Sequence, residues 1–284
     1  MDSKEQIWLL EEYERLRAVA LGVWQAGQDL PSTPPNIRRL RDLTLVSLLG
    51  GLQLVVACDS NASIGEKPND GLSKPYSEVG ISALKVPMME VLATGAVPLL
   101  VINALCMEME PSGRKFIDTM SRELIRCGFD PNLMLTGSTE DNVPTMQSGI
   151  GITVIGLVAE EKLRIGQTQV GDVILCVGNP KGGVKIPYAE SDTDIASIST
   201  VQSLDNISSV HEILPVGSKG IVYEAHELAR TVGRNFRPAD ELPSINLYES
   251  AGASTAVLVS SPATEVVSVA NSVSVPVFEI GTIE

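Results

Sequence analysis

The sequence has few aromatic residues, few cysteines and only two histidines. Phe, Trp and Tyr make up 4% of its 284 residues, so we expect Val, Ile, Leu, Ala and Met to form the core. The four cysteines show no Cys-x-x-Cys spacing, which argues against a zinc site and predicts a reducing compartment. Because neither His-Glu-x-x-His nor Gly-x-Ser-x-Gly occurs, nothing supports a zinc protease or a serine hydrolase.

Positive charge is also scarce, since 21 Lys and Arg face 35 Asp and Glu, for a net charge of −14. This balance argues against nucleic acid or an anionic membrane as a partner. No apolar run reaches about 18 residues and no apolar signal core is present, so we expect a soluble, cytoplasmic protein. An acidic protein can still bind ATP if cations neutralise the site, which makes Mg²⁺ the expected companion of a nucleotide.

Apolar periodicity predicts an α+β protein in which both sheet and helix patterns recur along the chain. The predicted strands lie at 43–48 and 52–58, which form a hairpin, and at 97–105, 132–136, 150–158, 173–177, 255–260 and 275–281. The predicted helices lie at about 4–26, 78–94, 113–127, 192–204, 219–232 and 262–271.

These elements predict two domains with a cleft between them. Residues 1–160 form the first domain, of which 1–35 are the N-terminal helix and a proline-rich linker, and residues 161–284 form the second. The polar stretch 60–76 shows no regular pattern, and such a long insert is typical of a mobile functional loop.

Two acids lie at the ends of the predicted hairpin. Asp42 precedes its first strand and Asp59 follows its second, so pairing of the strands brings the two side chains together. Two neighbouring carboxylates repel each other unless a cation lies between them, which favours a metal site. Without Asp42, a cap of the following turn is an equally good explanation of Asp59.

Further candidate residues lie in a helix and in two polar turns. Glu90 alone is more ordinary as a solvated helix acid. The cluster Gly137-Ser138-Thr139-Glu140-Asp141-Asn142 offers a Gly, two hydroxyls and carboxylates directly after a predicted strand. The turn Gly178-Asn-Pro-Lys181-Gly182-Gly183 could bind an anion, but it lacks P-loop spacing and is more simply a tight β-turn.

Six short segments occur in an order that resembles the aminoimidazole-ribonucleotide synthetase-related superfamily. The resemblance runs from about residue 37 to the end of the chain. The segments are Asp42-Leu-Thr-Leu, Val56-Ala-Cys-Asp59, Glu90 through Gly95-Ala-Val-Pro98, Thr136-Gly-Ser-Thr139, Val170-Gly-Asp172 and Glu249-Ser-Ala-Gly252. No segment is specific by itself, but chance rarely produces all six in this order.

The resemblance implies two α+β domains, with homodimerisation through the mixed or antiparallel sheet of the first. It implies ATP in the cleft, held through Mg²⁺ by acids at Asp42, Asp59 and Glu90. We extend the metal ligands to Asp141, and we expect Asp59, Lys181 and Lys219 to take part in catalysis. The residues expected to contact the nucleotide are Gly137, Ser138, Thr139, Asn142, Gly182 and Gly183.

Positions where the chain departs from the superfamily's motifs indicate which member it resembles most. Leu214–Gly220 replaces a motif that carries two carboxylates, which counts against thiamine-monophosphate kinase. The chain is most similar to α-ribazole kinase, which passes the ATP γ-phosphate to the 5′ hydroxyl of α-ribazole in salvage of the cobalamin lower ligand. A thiamine-monophosphate kinase-like enzyme, another ATP-dependent ligase of the superfamily and a non-catalytic nucleotide-binding regulator remain alternatives.

Overall fold

The computed structural model describes residues 37–48, 50–182 and 188–284, which form two main β-sheets with helices packed on them. The strands in this part of the chain are β1 Ile37–Leu40, β2 Leu43–Leu48, β3 Leu52–Ala62, β4 Ile64–Gly65, β5 Leu72–Ser73, β6 Val97–Leu105, β7 Leu135–Thr139, β8 Gly149–Ala159, β9 Val173–Val177, β10 Glu212–Pro215, β11 Phe236–Pro238, β12 Val257–Ser261 and β13 Val277–Ile283. The α-helices are α1 Tyr76–Ala93, α2 Arg114–Arg126, α3 Pro131–Met134, α4 Ile198–Asp205, α5 Ile221–Thr231 and α6 Val266–Ser272. The predicted helix at 4–26 and its linker lie outside the described residues.

The first sheet has the strand order β1-β2-β3-β8-β6-β7. Its neighbouring strands are antiparallel, except that β6 and β7 are parallel. Residues of β8 alternate between buried and half-buried, because successive side chains of a strand point to opposite faces. The buried face packs against α1, and the predicted hairpin of 43–48 and 52–58 is confirmed as β2 and β3.

Helix α1 lies between the two sheets. It contacts β3 and β8 of the first sheet and also β10 and α4 of the second part of the chain. Twelve of its 18 residues are buried, as expected for a helix that is apolar on nearly every side. The helix predicted at 78–94 is therefore confirmed, whereas the solvated face considered for Glu90 is absent from α1.

The second sheet has the order β10-β12-β9-β13-β11 and is antiparallel throughout. Every residue of β9 is buried, and its side chains alternate between two apolar clusters on opposite faces of the sheet. Strands covered on both faces read as continuous apolar runs, which is why 173–177 was predictable. The chain passes from the first sheet to the second between Ala159 and Val173, and the domain boundary near residue 160 remains a prediction.

Two predicted segments differ in the structure. The stretch 60–76 is organised, because β3 continues to Ala62, β4 pairs with β5, and Asp70 accepts hydrogen bonds from the amide and hydroxyl of Ser148. The strand predicted at 132–136 begins at Leu135, because Asp130 caps the helical turn α3 before it. A search of the described helices finds none long and apolar enough to span a membrane.

Candidate functional site

The β2–β3 hairpin places Asp42 and Asp59 at the same end of the first sheet. Leu43 pairs with Ala57, so Asp42, one residue earlier, lies beside the Cys58–Asp59 step of β3. Asp59 does not follow the strand as predicted. It lies within β3 and pairs with Ile152 of β8, so its backbone continues the ladder and the side chain does not cap a turn.

A cavity of about 510 Å³ opens beside these two acids, between the first sheet and the second part of the chain. Helix α1 forms one wall with Ser82, Val86 and Glu90, which recur every four residues and therefore lie on one face. The opposite wall comes from the second part of the chain and includes Tyr188, Gly217, Ser218, Ser250 and the residues 252–254. The structure thus brings Asp42, Asp59 and Glu90 into one cavity, and their role as metal ligands stays a prediction.

The cavity disfavours the ionised forms of Glu90 and Asp59, so both of their pKa values are raised. Burial raises the pKa of Glu90 to about 8, and the negative charges of Asp42 and then Glu224 add to this effect. Burial also raises the pKa of Asp59. A hydrogen bond with the Ser60 backbone opposes this rise, and the charge of Asp42 adds a smaller upward contribution. Since the charge of Asp42 contributes to the raised pKa values of Glu90 and Asp59, a bound cation would favour their ionised forms.

Glu224 is an acid of this cavity region that the sequence analysis missed. It lies one turn into α5, and burial followed by the charge of Asp42 raises its pKa to about 7. The expected carboxylates of Leu214–Gly220 are missing from the sequence, whereas Glu224 brings one close to that segment. A Cβ built on Gly217 would lie 3.4 Å from Glu224 Oε1. The signal was available, because helix side chains point back toward the helix N-terminus.

Arg41, next to Asp42, contacts the second part of the chain. Its guanidinium donates to Glu212 Oε1 at 2.6 Å and to Thr231 Oγ1 at 3.0 Å. Glu212 is completely buried and also accepts hydrogen bonds from the amides of Gly166, Gln167 and Thr168. Arg41 therefore ties its own turn, which also contains Asp42, to Glu212 of the second sheet.

The carboxylate oxygens in the cavity are ligands of the kind that a hard cation prefers, but they do not complete the coordination shell of a metal ion. Within the described ranges, no group of three or more His, Cys, Asp or Glu side chains could hold a metal ion. Mg²⁺ usually binds one or two carboxylates and completes its shell with water and substrate phosphates. At most two of the acids Asp42, Asp59 and Glu90 therefore fit one Mg²⁺ ion, with phosphate oxygens and water as its other ligands.

The cluster Gly137–Asn142 lies elsewhere on the same sheet. In register, Asp59 pairs with Ile152, Ile152 with Asn103 and Asn103 with Gly137. Three strand spacings of ~4.8 Å separate Gly137 from Asp59 by about 14 Å. A Cβ at Gly137 would collide with Asn103, so this glycine allows close packing within the sheet.

Asp141 and its neighbours do not join the cavity acids within one chain. Asp141 accepts hydrogen bonds from the Met109 amide and from the Thr139 hydroxyl, while the Asn142 amide donates to Glu140. Ser138 and Thr139 belong to the edge strand β7 and line a separate cavity of about 450 Å³. Asp141 is therefore separate from Asp42 and Asp59 within one chain, and its assignment as a metal ligand stays a prediction.

The turn at Lys181 is occupied by structural contacts. The Lys181 ammonium lies 3.0 Å from Asp192 Oδ2 and 2.7 Å from Asp194 Oδ1, and the residue does not line the cavity. Gly182 packs against the backbone of Gly252, where a Cβ would not fit. Gly183 lies outside the described residues. The β-turn explanation therefore describes Lys181 and Gly182 better than the anion site does.

Lys219 is exposed near the acids. Its ammonium donates to the Tyr223 hydroxyl at 3.0 Å. This hydrogen bond is the largest cause of its raised pKa, to which the charges of Asp42 and Glu224 also contribute. The charges of the nearby acids thus act on Lys219, although Lys219 is not among the residues that line the cavity.

Comparisons with known proteins show the fold. No protein-family model and no curated protein matched the chain. Among solved structures, thiamine-monophosphate kinase from Stenotrophomonas maltophilia is 18% identical, with a TM-score of 0.58 and coverage of 95% of this chain and 92% of that one. AaThiL complexed with AMPPCP and TMP is 16% identical, with a TM-score of 0.58 and coverage of 86% and 84%. The hydrogenase maturation protein HypE in complex with ATP is 15% identical, with a TM-score of 0.59 and coverage of 93% and 81%. The predicted two-domain α+β fold is confirmed.

Proposed function

We propose that this protein is an Mg²⁺-dependent kinase that binds ATP in the cavity between the two sheets and phosphorylates a hydroxyl of a nucleoside-like molecule. The observation that carries this proposal is the convergence of Asp42, Asp59 and Glu90 on one cavity. The fold shared with HypE in complex with ATP, and with a thiamine-monophosphate kinase, supports ATP as the phosphoryl donor.

The chain's residues position the reactants and balance their charge. One or two of the acids Asp42, Asp59 and Glu90 would bind each Mg²⁺ together with ATP phosphates, and the ion would supply the charge that neutralises and orients the transferring phosphoryl group. Gly217 and Ser218 line the opposite wall, where their small side chains leave room for phosphate oxygens to approach the backbone. Glu224 lies beyond Gly217 and adds to the negative charge that a cation must offset.

For the acceptor we propose α-ribazole. The support is the motif order of the chain, together with Gly217 and Ser218 in the cavity where thiamine-monophosphate kinase would carry carboxylates. The test is ATP consumption with Mg²⁺ and either α-ribazole or thiamine monophosphate, with the product identified by mass. Phosphorylation of thiamine monophosphate alone would replace the proposed acceptor. Intact ATP binding with no product from either would favour the non-catalytic regulator.

We further propose that the protein is a homodimer that pairs through the outer face of the first sheet. This face is turned away from α1 and carries apolar side chains from several strands. Exposed large apolar residues on β2, β3 and β6 are Leu48, Leu52, Val97, Leu99 and Leu100. An exposed apolar patch of this kind is typical of an interface, and a second copy offers the same surface in return.

A further inference from the structure

The cavity contains a lysine that the sequence analysis did not consider. Lys74 lies between β5 and α1, and it is the only Lys, Arg or His among the described residues that line the cavity. Three carboxylates share the lining with it. The phosphates of a bound ATP would carry about four negative charges, which need cations nearby. The Lys74 ammonium is one such cation in the cavity wall.

Tyr188 holds the Lys74 ammonium against the cavity wall. Lys74 Nζ donates to the Tyr188 carbonyl at 2.9 Å and lies 4.7 Å from the centroid of the Tyr188 ring. An ammonium over an aromatic face is attracted by the electrons of the ring. Because Tyr188 belongs to the second part of the chain, this contact fixes Lys74 between both walls.

The charge of Lys74 is only weakly neutralised by its surroundings. Its nearest carboxylate in an ion pair is Glu78 Oε2, at 3.6 Å, and that side chain is 35% exposed. By contrast, two carboxylates hold Lys181 outside the cavity, at 3.0 Å and 2.7 Å. Lys74 therefore keeps a positive charge that can attract an anion entering the cavity.

We propose that Lys74, positioned by Tyr188, binds phosphate oxygens of the nucleotide. This inference rests on the proposed function and deepens it by assigning a phosphoryl subsite to one wall of the cavity. Lysine commonly binds phosphate as a compact point charge with three donors. Lys74, and not Lys181, is then the lysine that offsets the phosphate charge in this cavity.

The test compares ATP with adenosine in binding to the full chain by calorimetry with Mg²⁺. Lys74→Met should weaken ATP binding by about 10–100-fold, because a hydrogen bond to a charged group is lost. Adenosine lacks phosphate, so its affinity should not change. Lys74→Arg should retain most of the ATP affinity because it keeps the charge.

Lys115→Met is the matched control. Lys115 is exposed on α2, pairs with Glu66 at 2.6 Å and does not line the cavity, so its removal changes net charge equally and should leave ATP binding intact. Equal ATP affinity of Lys74→Met and wild type overturns the Lys74 assignment alone. Equal loss of ATP and adenosine also overturns it, because that pattern indicates a structural role. Wild-type protein that binds no ATP overturns both this assignment and the proposed function.

Discussion

The carboxyl of Glu90 on α1 lies close enough to Asp42 for the Asp42 charge to raise its pKa further, beyond what burial already causes. The combined effect brings the Glu90 pKa to about 8, from an ordinary value of 4.5. The two residues come from different elements, separated by about fifty positions in the sequence. Their proximity links the stability of the ligand-free protein to pH.

We expect the ligand-free protein to lose stability as pH rises from about 4.5 to about 8. In this window the folded state keeps a proton on Glu90 that the unfolded state releases, so the free energy of unfolding falls as pH increases. Glu90→Gln should remove part of this slope and stabilise the protein at pH 8 by about 1–2 kcal/mol. Urea unfolding at pH 5 and pH 8 measures the effect. An unchanged slope in the variant would contradict the raised pKa of Glu90.

Asp59→Asn should abolish Mg²⁺-dependent turnover while leaving the fold intact. The amide keeps the size of the side chain but removes the charge that would hold the cation, so we expect a loss of at least ~100-fold in kcat/KM. Steady-state kinetics and thermal unfolding together measure this. Asp118→Asn, at an exposed position of α2, is the matched control and should keep wild-type activity. Retained turnover in Asp59→Asn would refute its assigned role.

Arg41→Met should destabilise the protein by about 3–5 kcal/mol, because it leaves the buried carboxylate of Glu212 without its cation. Chemical denaturation measures the change in the free energy of unfolding. The double variant Arg41→Met/Glu212→Gln should recover part of the loss, since the unpaired charge is then absent. If the loss of unfolding free energy in the double variant equals the sum of the losses in Arg41→Met and Glu212→Gln alone, the ion pair does not account for the effect.

Leu100→Glu should convert the proposed dimer to monomers. Leu100 lies on β6 and is 39% exposed, so a charge there costs little in a monomer but would be buried in a dimer. Light scattering after gel filtration measures the mass of the particle. Leu133→Glu, at a position of α3 that is 82% exposed, is the control and should not change the mass. A monomeric wild-type protein would eliminate the interface.

The sequence allowed the local part of the cavity to be predicted. Asp42 and Asp59 flank a hairpin, and strand pairing over a short turn is fixed by residues that are near in sequence. Glu90 was assigned only through the resemblance, because a helix pattern does not reveal that both sides of α1 are covered by sheets. The short strands β10 and β11 were missed because three or four residues show no clear alternation.

Residues that act through distant contacts could not be predicted in this way. Lys74 depends on Tyr188, which is 114 positions away, and Glu224 depends on Asp42 across both sheets. Gly137 was noted for its small size, but the neighbour that requires a glycine there is Asn103 on the adjacent strand. Pattern and composition describe elements well, whereas the identity of a side chain's neighbour depends on how the elements pack.

The contacts of Glu212 have a consequence for how ligands reach the cavity. This buried carboxylate binds Arg41 beside the cavity acids and also the amides of residues 166–168, in the segment that joins the two sheets. A hinge motion about that segment would have to break the ion pair of Arg41 with Glu212 or the hydrogen bonds from the amides to Glu212. We therefore expect the cleft to keep a constant width, with substrates entering and products leaving through its open mouth.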